Sequence, residues 1–236
     1  AYLGTECPLA KLYASRLTEL RETYAAKGVA FLGVMSNRQD SIAEISAYVR
    51  KFDIEFPVLK DAGNRLADAM GAERTPEVFV LDRERMIRYW GRIDDQYGIG
   101  YVRDNPKILD LKNAIDDLLA GKEPRTPITR SVGCIIGRQK SVDNEAAVTF
   151  SNEVSRILNR RCVECHRQGE IGPFALSDYH EAAGWADMIA EVVREGRMPP
   201  WHANPDVGRF SNDRSLTEEE KQTLYAHHVT LISGTG

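Results

Sequence analysis

Two cysteines and an adjacent histidine form the clearest chemical motif in this sequence. Cys162, Cys165 and His166 have the spacing C-x-x-C-H. With this spacing two thiols can form thioether bonds to the vinyl groups of a haem, while the adjacent imidazole reaches the iron from one face. The motif therefore predicts one covalently attached haem c, with His166 as an iron ligand.

The same residues allow two alternatives. A zinc site would use Cys162, Cys165 and His166, with His202 as a fourth ligand. Adjacent Cys and His side chains leave the backbone in different directions, so they seldom bind one metal ion together. A disulfide between Cys162 and Cys165 would leave His166 without a role. Both alternatives explain the motif less completely than a haem does.

A second axial ligand is expected downstream of His166. Met198 lies in the segment 196–201 and is followed by two prolines, which restrict the backbone of a loop that presents a thioether to a metal. We therefore predict Met198 as the distal iron ligand and place Arg197 and Trp201 in the same cofactor-binding loop. The other histidines are His180 and His202, which are rival ligands, and His227 and His228, which are predicted as surface or packing residues.

The other two cysteines are far apart in the sequence. Cys7 stands just before a predicted helix and is followed by Pro8. Unpaired N–H groups and the dipole at a helix N-terminus lower the pKa of a thiol and favour the nucleophilic thiolate. Cys134 is either a resolving partner for Cys7 or a buried, unpaired cysteine, and the sequence supports both interpretations equally.

Length and composition limit the classes of protein that can carry these sites. The chain has 236 residues, of which 42% are hydrophobic and 28% charged, so it is globular and long enough for two domains. A net charge of −4, with scattered basic residues, argues against a nucleic-acid partner. The longest apolar stretch, 29–35, is too short to cross a bilayer. Because the first residue is Ala1 and not Met, we expect either a removed leader or a fragment.

The first half of the sequence alternates between helical and strand patterns. Apolar spacing and cap residues, among them a capping box formed by Ser41 and Glu44, predict a mixed α/β domain with a partly antiparallel sheet over residues 1–122. The predicted helices are 9–24, 41–51, 64–70 and 107–119, and the predicted strands are 29–34, 56–59, 77–81 and 86–90. The segment 91–97 is predicted as a solvated loop, with Asp94 and Asp95 as turn formers.

The second half of the sequence lacks strand patterns. Residues 123–144 include the breakers Pro124, Pro127 and Gly133 and have little periodicity, which predicts a linker. Helical apolar spacing at 147–158 and 178–194, and a third helix that starts near Leu216, predict an all-α domain over residues 145–236.

Each half resembles a known family. The second half is similar to c-type cytochrome domains over residues 146–229, through the C-x-x-C-H site, the Met-Pro loop and the closing helix, although the interval from His166 to Met198 is short for that class. The first half resembles the thioredoxin fold. In that fold the active cysteine opens the first long helix, as Cys7 does here, and a Thr-Pro with a cis peptide bond packs beside it, which implies this role for Thr75 and Pro76.

The first half departs from two branches of that fold. A thioredoxin oxidoreductase needs a resolving thiol at C-x-x-C spacing, and no cysteine follows Cys7 at that distance. A peroxiredoxin attacks peroxide with one cysteine. In this sequence, however, Thr5 stands two positions before Cys7, where the peroxiredoxin pattern places its threonine three before. The family's peroxide-binding arginine has no assignable counterpart, because Pro76 fills the loop in question.

Over nearly its whole length the sequence resembles bacterial redoxin-domain proteins fused to a cytochrome c domain. The resemblance depends on the segments 56–61, 75–79, 91–97, 133–134, 162–166 and 172–174. It implies a thioredoxin-like domain followed by a cytochrome c-like domain. It also implies a periplasmic or otherwise exported redox protein that works with a redox protein partner, alone or within a larger complex.

Three functions are compatible with these features. The leading one is electron transfer through the covalent haem, with a protein partner or the thiol site at Cys7 as the other redox group. The second is a thiol peroxidase or thiol–disulfide reductase with Cys7 as nucleophile, and the third is a thioredoxin-like docking subunit in which only the haem is redox-active. The predicted site residues are Cys7, Thr75, Pro76 and Cys134 for the thiol site, and Cys162, Cys165, His166, Met198, Arg197 and Trp201 for the haem site.

Overall fold

The chain folds into two units, Ala1–Ile136 and Gly137–Gly236. The structure, a computed structural model, describes residues 1–140, 148–201, 203–204, 206–208 and 210–229. The first unit mixes helices and strands, and the described residues of the second unit form helices and turns.

The first unit alternates helices with short strands, as its sequence predicts. Its strands are β1 (Tyr2–Leu3), β2 (Gly33–Met35), β3 (Val58–Lys60), β4 (Arg74–Thr75), β5 (Val78–Leu81), β6 (Ile87–Gly91), β7 (Tyr97–Gly98), β8 (Tyr101–Val102) and β9 (Cys134–Ile135). Its α-helices are α1 (Pro8–Ala25), α2 (Ile42–Lys51), α3 (Arg65–Met70) and α4 (Asp110–Leu119). The result is a thioredoxin-like α/β fold.

The strand order brings several chain segments to one edge of the sheet. Strands β1, β2 and β3 are parallel and lie in that order, and β5 and β6 form an antiparallel hairpin with Val78 opposite Gly91. Tyr2 in β1 exchanges two backbone hydrogen bonds with Glu77, just before β5. The end of β1, the start of β5 and the end of β6 therefore lie at the same edge.

Helix α1 begins directly after Cys7. Cys7 is extended (φ −67°, ψ 117°) and occupies the N-cap position, and Pro8 is the first helical residue, where a missing N–H costs nothing. One face of the helix is buried at helical spacing, which fixes its orientation on the sheet. The buried residues of this face are Ala10, Tyr13, Ala14, Leu17, Leu20 and Tyr24.

Local signals predicted helix starts better than strand bounds. The predicted capping box is present, because the Ser41 hydroxyl accepts from the Glu44 N–H at 3.2 Å and the Glu44 carboxylate accepts from the Ser41 N–H at 2.7 Å. The strand predicted at 29–34 is instead β2, which begins at Gly33. Strand β1 begins opposite Val34, and strand β3 begins opposite Gly33. The residues before Gly33 therefore have no neighbouring strand to pair with.

The predicted linker, 123–144, differs from the observed boundary between the units. The Trp90 N–H donates to the Pro127 carbonyl at 3.0 Å, and the Thr129 N–H donates to the Trp90 carbonyl at 3.1 Å. Further along, β9 pairs with β4 in an antiparallel ladder. Residues up to Ile136 therefore belong to the first unit, because they supply hydrogen bonds that its strands would otherwise lack.

The prediction of a solvated loop at 91–97 is wrong. Asp94 is 1% exposed and Asp95 is 5% exposed. Asp94 accepts a hydrogen bond from the Tyr13 hydroxyl at 2.6 Å and forms an ion pair with Arg16. Asp95 accepts from two backbone N–H groups at the approach to α4. These donors satisfy both carboxylates, which allows them to be buried.

The second unit contains a π-helical turn, Phe150–Val154, and the helices α5 (Ser155–Arg161), α6 (Tyr179–Gly184), α7 (Ala186–Arg194) and α8 (Glu218–Val229). The helix predicted at 178–194 is interrupted at Trp185, whose φ and ψ are −105° and 4°. This buried indole stacks on the ring of Phe174, with 3.9 Å between centroids. Among the helices that the structure describes, none has the length and hydropathy of a membrane span.

Candidate functional site

Cys7 lies at the sheet edge where β1 ends and α1 begins. Its side chain is fully buried, and its Sγ lies 2.9 Å from the Thr75 carbonyl oxygen. The peptide bond between Thr75 and Pro76 is cis, as the resemblance to the thioredoxin fold implies. Gly4 allows the turn before Cys7 to pack closely, since a Cβ at this position would lie 2.5 Å from Asn37 Nδ2.

The β4–β9 ladder brings Cys134 to the same place. Thr75 and Cys134 are directly opposite each other in this antiparallel pair. Gly133 makes the close approach possible, because a Cβ there would lie 2.1 Å from the Thr75 carbonyl oxygen. Cys7 and Cys134 are both buried free thiols, and each is close enough to shift the pKa of the other. The structure thus joins the two cysteines whose relationship the sequence left open.

The electrostatics of the two thiols differ. Burial raises the pKa of the Cys7 thiol, but hydrogen bonds from the Cys134 and Thr75 side chains and from the Ala10 N–H outweigh it and lower the pKa to about 6. The hydrogen bond to Cys7, together with burial, raises the pKa of Cys134 well above its ordinary value. The lowered pKa makes Cys7 the better nucleophile of the two, and the raised pKa of Cys134 keeps its proton in place.

Thr75 gives a first test of this arrangement. Its Oγ1 is fully buried, has no hydrogen-bond partner among the described residues, and lies near enough to Cys7 to lower the pKa of that thiol. We expect Thr75→Val, which removes only the hydroxyl, to raise the pKa of Cys7, measured as the pH dependence of its alkylation rate. Thr75→Ser keeps the hydroxyl and should keep the pKa. Equal pKa values in the Val and Ser variants would refute this role.

A buried polar cluster packs against the turn before Cys7. Asp40 is 2% exposed and accepts hydrogen bonds from the Thr5 hydroxyl at 2.7 Å and from Asn37 Nδ2 at 3.1 Å. Burial raises the pKa of its carboxyl group, despite these hydrogen bonds. Sequence reasoning missed the cluster, although polar residues just after parallel strands are a signal for a site at that edge.

In the second unit, Cys162, Cys165 and His166 lie on the turn after α5. Both cysteines are free thiols, Cys165 exposed and Cys162 partly buried, and burial raises the pKa of Cys162 to about 11. Burial also lowers the pKa of His166, which favours the neutral ring. Its Nδ1 lies 3.1 Å from the Phe174 carbonyl oxygen. A carbonyl can only accept, so Nδ1 carries the proton and Nε2 is the nitrogen with a free lone pair.

Met198 and Arg197 are neighbours in the loop after α7, but their side chains have different surroundings. Met198 is 38% exposed. Arg197 instead forms ion pairs with Glu191 at 2.8 Å and with Glu195 at 2.7 Å. Its guanidinium thus pairs with two carboxylates at the C-terminal end of α7, and its role in cofactor binding stays a prediction.

Of the other residues predicted for the haem site, the structure describes Trp201 and the rival ligand His180. Trp201 packs edge-to-face on Phe210, with 5.7 Å between ring centroids, and His180 is exposed. No cluster of three or more His, Cys, Asp or Glu side chains suited to a metal ion occurs in the part of the chain that the structure describes. His202, and the side chains of His227 and His228, lie outside the described residues.

Comparison with known proteins found one matching family model and several similar solved structures. The model of the AhpC/TSA family matches residues 1–90. A solved hypothetical protein from Sinorhizobium meliloti is 32% identical, with a TM-score of 0.53, and the match covers 60% of this chain and 79% of that one. An uncharacterized conserved protein from Geobacillus kaustophilus is 28% identical, with a TM-score of 0.53 and coverage of 60% and 76%. No curated protein matches the chain.

Proposed function

We propose that this chain, which carries an AhpC/TSA-family domain of thioredoxin-like fold in residues 1–90, is a thiol–disulfide oxidoreductase. Cys7 is the nucleophile and Cys134 is the resolving cysteine. The supporting observation is the β4–β9 ladder, which sets the buried free thiol of Cys134 opposite Thr75, whose carbonyl oxygen lies 2.9 Å from the buried Sγ of Cys7. The resolving thiol that is missing from a C-x-x-C position is thus supplied by a distant strand, β9.

The reaction proceeds in two exchange steps. The Cys7 thiolate attacks one sulfur of a substrate disulfide, a bond forms between Cys7 Sγ and that sulfur, and the other substrate sulfur leaves as a thiolate. Cys134 then gives up its proton, which goes to the departed thiolate, and attacks Cys7 Sγ. The second substrate thiol leaves, so two electrons have passed to the substrate and a Cys7–Cys134 disulfide remains.

Peroxide is the competing substrate class for the same thiolate. Attack on the O–O bond would give a sulfenic acid on Cys7 and release an alcohol or water, and Cys134 would then condense with it and release water. Arg74, the arginine next to this loop, donates to the Gly133 carbonyl at 3.0 Å. This position favours a role in fixing the β9 segment over one in peroxide binding, so we favour the disulfide substrate.

Thiol trapping tests this function on the intact chain. The protein is equilibrated in a glutathione redox buffer, free thiols are blocked, and peptides are mapped by mass spectrometry. We expect a Cys7–Cys134 disulfide, together with faster turnover of a model disulfide than of hydrogen peroxide. Faster peroxide turnover would identify a peroxidase instead. A chain that never forms the Cys7–Cys134 disulfide would overturn both activities and favour a docking subunit.

We also propose that the second unit binds one haem c, which supplies one-electron redox chemistry when it is bound. Cys162 and Cys165 would hold it through thioethers, His166 would ligate the iron through Nε2, and Met198 is the candidate for the opposite side. The hydrogen bond between His166 Nδ1 and the Phe174 carbonyl supports this, since it orients the ring and leaves Nε2 free.

A buried donor near this motif is consistent with a bound group. Trp185 Nε1 has no hydrogen-bond partner among the described residues, although the side chain is 1% exposed. The indole stacks on the ring of Phe174, and the Phe174 carbonyl oxygen lies 3.1 Å from His166 Nδ1. A buried N–H without an acceptor costs roughly 1–3 kcal/mol, so an acceptor on a ligand such as a haem carboxylate would remove that cost.

Covalent attachment is checked by denaturation. After extraction of the denatured protein with acidified organic solvent, the pigment should stay with the polypeptide, and a haem-stained gel should show it. Cys162→Ser and Cys165→Ser should each leave a single thioether, which shifts the pyridine haemochrome band. Met198→Ala should abolish a long-wavelength sulfur-to-iron band in the oxidised protein. Complete loss of pigment to the solvent would show that the attachment is not covalent.

Location and partners follow from the proposed haem. In c-type cytochromes covalent attachment takes place outside the cytoplasmic membrane, so we propose a periplasmic or otherwise exported protein. An electron carrier needs a second redox protein to exchange electrons with, and we propose such a partner, alone or within a larger complex.

A further inference from the structure

Glu77 stands where three segments of the thiol site meet. It follows Pro76 directly, and its side chain is 6% exposed. Its backbone carbonyl accepts from the Tyr2 N–H at 2.7 Å, and its N–H donates to the Tyr2 carbonyl at 3.3 Å. Since Tyr2 is in β1, these two bonds tie Glu77 to the strand that leads to Cys7.

The carboxylate of Glu77 connects the other two segments. Oε2 accepts from the backbone N–H groups of Glu73 at 2.8 Å and Arg74 at 3.3 Å, in the loop that carries Thr75. Oε1 accepts from the Ser131 hydroxyl at 2.9 Å, on the segment that carries Cys134. A single buried carboxylate therefore joins the loop beside Cys7 to the chain that delivers the second thiol.

Hydrogen bonds at both ends hold the segment that carries Cys134, and Arg74 donates to the Gly133 carbonyl at 3.0 Å between them. The strand in this segment, β9, has only two residues in the ladder with β4. The Ile136 N–H donates to the Glu73 carbonyl at 2.9 Å at one end, and Ser131 donates to Glu77 at the other. A short ladder leaves the position of Cys134 sensitive to the hydrogen bond at the entrance of its strand.

We propose that Glu77 is a positioning residue that fixes Cys134 beside Cys7 and so sets the reduction potential of the pair. The inference rests on the proposed function, in which the pair cycles between dithiol and disulfide. A fixed approach of two thiols raises their effective concentration, and this stabilises their disulfide relative to a disulfide with glutathione. Loss of the Glu77 contact should therefore weaken the Cys7–Cys134 disulfide.

Two variants remove the contact in different ways. Ser131→Ala deletes only the hydroxyl that reaches Glu77, and leaves the carboxylate bound to the two backbone N–H groups. Glu77→Gln keeps the size of the side chain but replaces one carboxylate oxygen with an amide NH₂. That NH₂ would face a hydrogen-bond donor and could not accept from it. Ser36→Ala is the matched control, because the Ser36 hydroxyl donates to Asp61 at 2.8 Å and is buried to the same degree. It should lose comparable stability without a change in potential.

The readout is the equilibrium between the intact chain and glutathione, followed by trapping of thiols. We expect Ser131→Ala and Glu77→Gln to shift this equilibrium roughly threefold to tenfold toward the dithiol, about 14 to 30 mV more positive. Because Cys134 lowers the pKa of Cys7, that pKa should rise in the same two variants. Unchanged equilibria in both, or an equal shift in Ser36→Ala, would overturn the positioning role. A wild-type chain without the disulfide would instead overturn the proposed function itself.

Discussion

Serine in place of Cys7 should slow the reduction of a model disulfide about a thousandfold or more. The reason is that a hydroxyl stays protonated at neutral pH, whereas the Cys7 thiol, with its pKa of about 6, is already ionised. The measurement is a single-turnover assay that counts substrate thiols released per protein molecule. Wild-type protein should release two, because Cys134 completes the exchange.

Cys134→Ser provides the matched control for this assay. Its Cys7 should release one substrate thiol and then stop as a mixed disulfide, which mass spectrometry detects as an adduct on the peptide that contains Cys7. Cys162 and Cys165 are present in every variant, so Cys7→Ser also measures their contribution. Release of two thiols by Cys7→Ser would assign the reaction to other cysteines and refute the role of Cys7.

Alanine in place of Cys134 should raise the pKa of Cys7 by about 2 units. Burial alone raises this pKa, and the hydrogen bond from Cys134 is the largest of the influences that lower it. Alkylation of wild-type Cys7 should reach its plateau above about pH 7 and fall as the pH drops through about 6. In Cys134→Ala this fall should occur at higher pH, so that alkylation at pH 7 slows roughly tenfold.

Cys134→Ser separates the hydrogen bond from the redox chemistry. Neither variant at position 134 can form the disulfide, but the serine hydroxyl can still donate to the Cys7 thiolate. In Cys134→Ser we expect the pKa of Cys7 to stay near its wild-type value. In Cys134→Ala the pKa of Cys7 should rise. A Cys7 that still titrates near pH 6 in Cys134→Ala would show that other donors control its ionisation.

Local features of the first unit were predictable because neighbouring residues determine them. The start of α1 at Pro8, the capping box of Ser41 and Glu44 and the hairpin of β5 and β6 all depend on residues within a few positions of each other. The burial of Asp94 was not predictable. Its donors on Tyr13 and Arg16 lie in α1, and no local pattern links them to the segment after β6.

The same distinction separates the two candidate sites. The C-x-x-C-H motif is local, so its spacing alone is enough to predict a chemistry for Cys162, Cys165 and His166. The thiol site is not local, because Cys134 reaches Cys7 only through β9 and the close approach that Gly133 permits. The polar cluster around Asp40 and the contacts of Glu77 were missed for the same reason.

By itself, the sequence determined which residues can do chemistry: a cysteine at a helix start beside a Thr-Pro loop, and a haem-attachment spacing. Both follow from covalent order, which places neighbouring side chains at known distances. Only the tertiary structure brings Cys134 opposite Thr75 and beside Cys7, and lowers the pKa of Cys7 while it raises that of Cys134. Those facts depend on a strand ladder between distant segments and on burial, since a thiol's pKa responds to the groups around it in space.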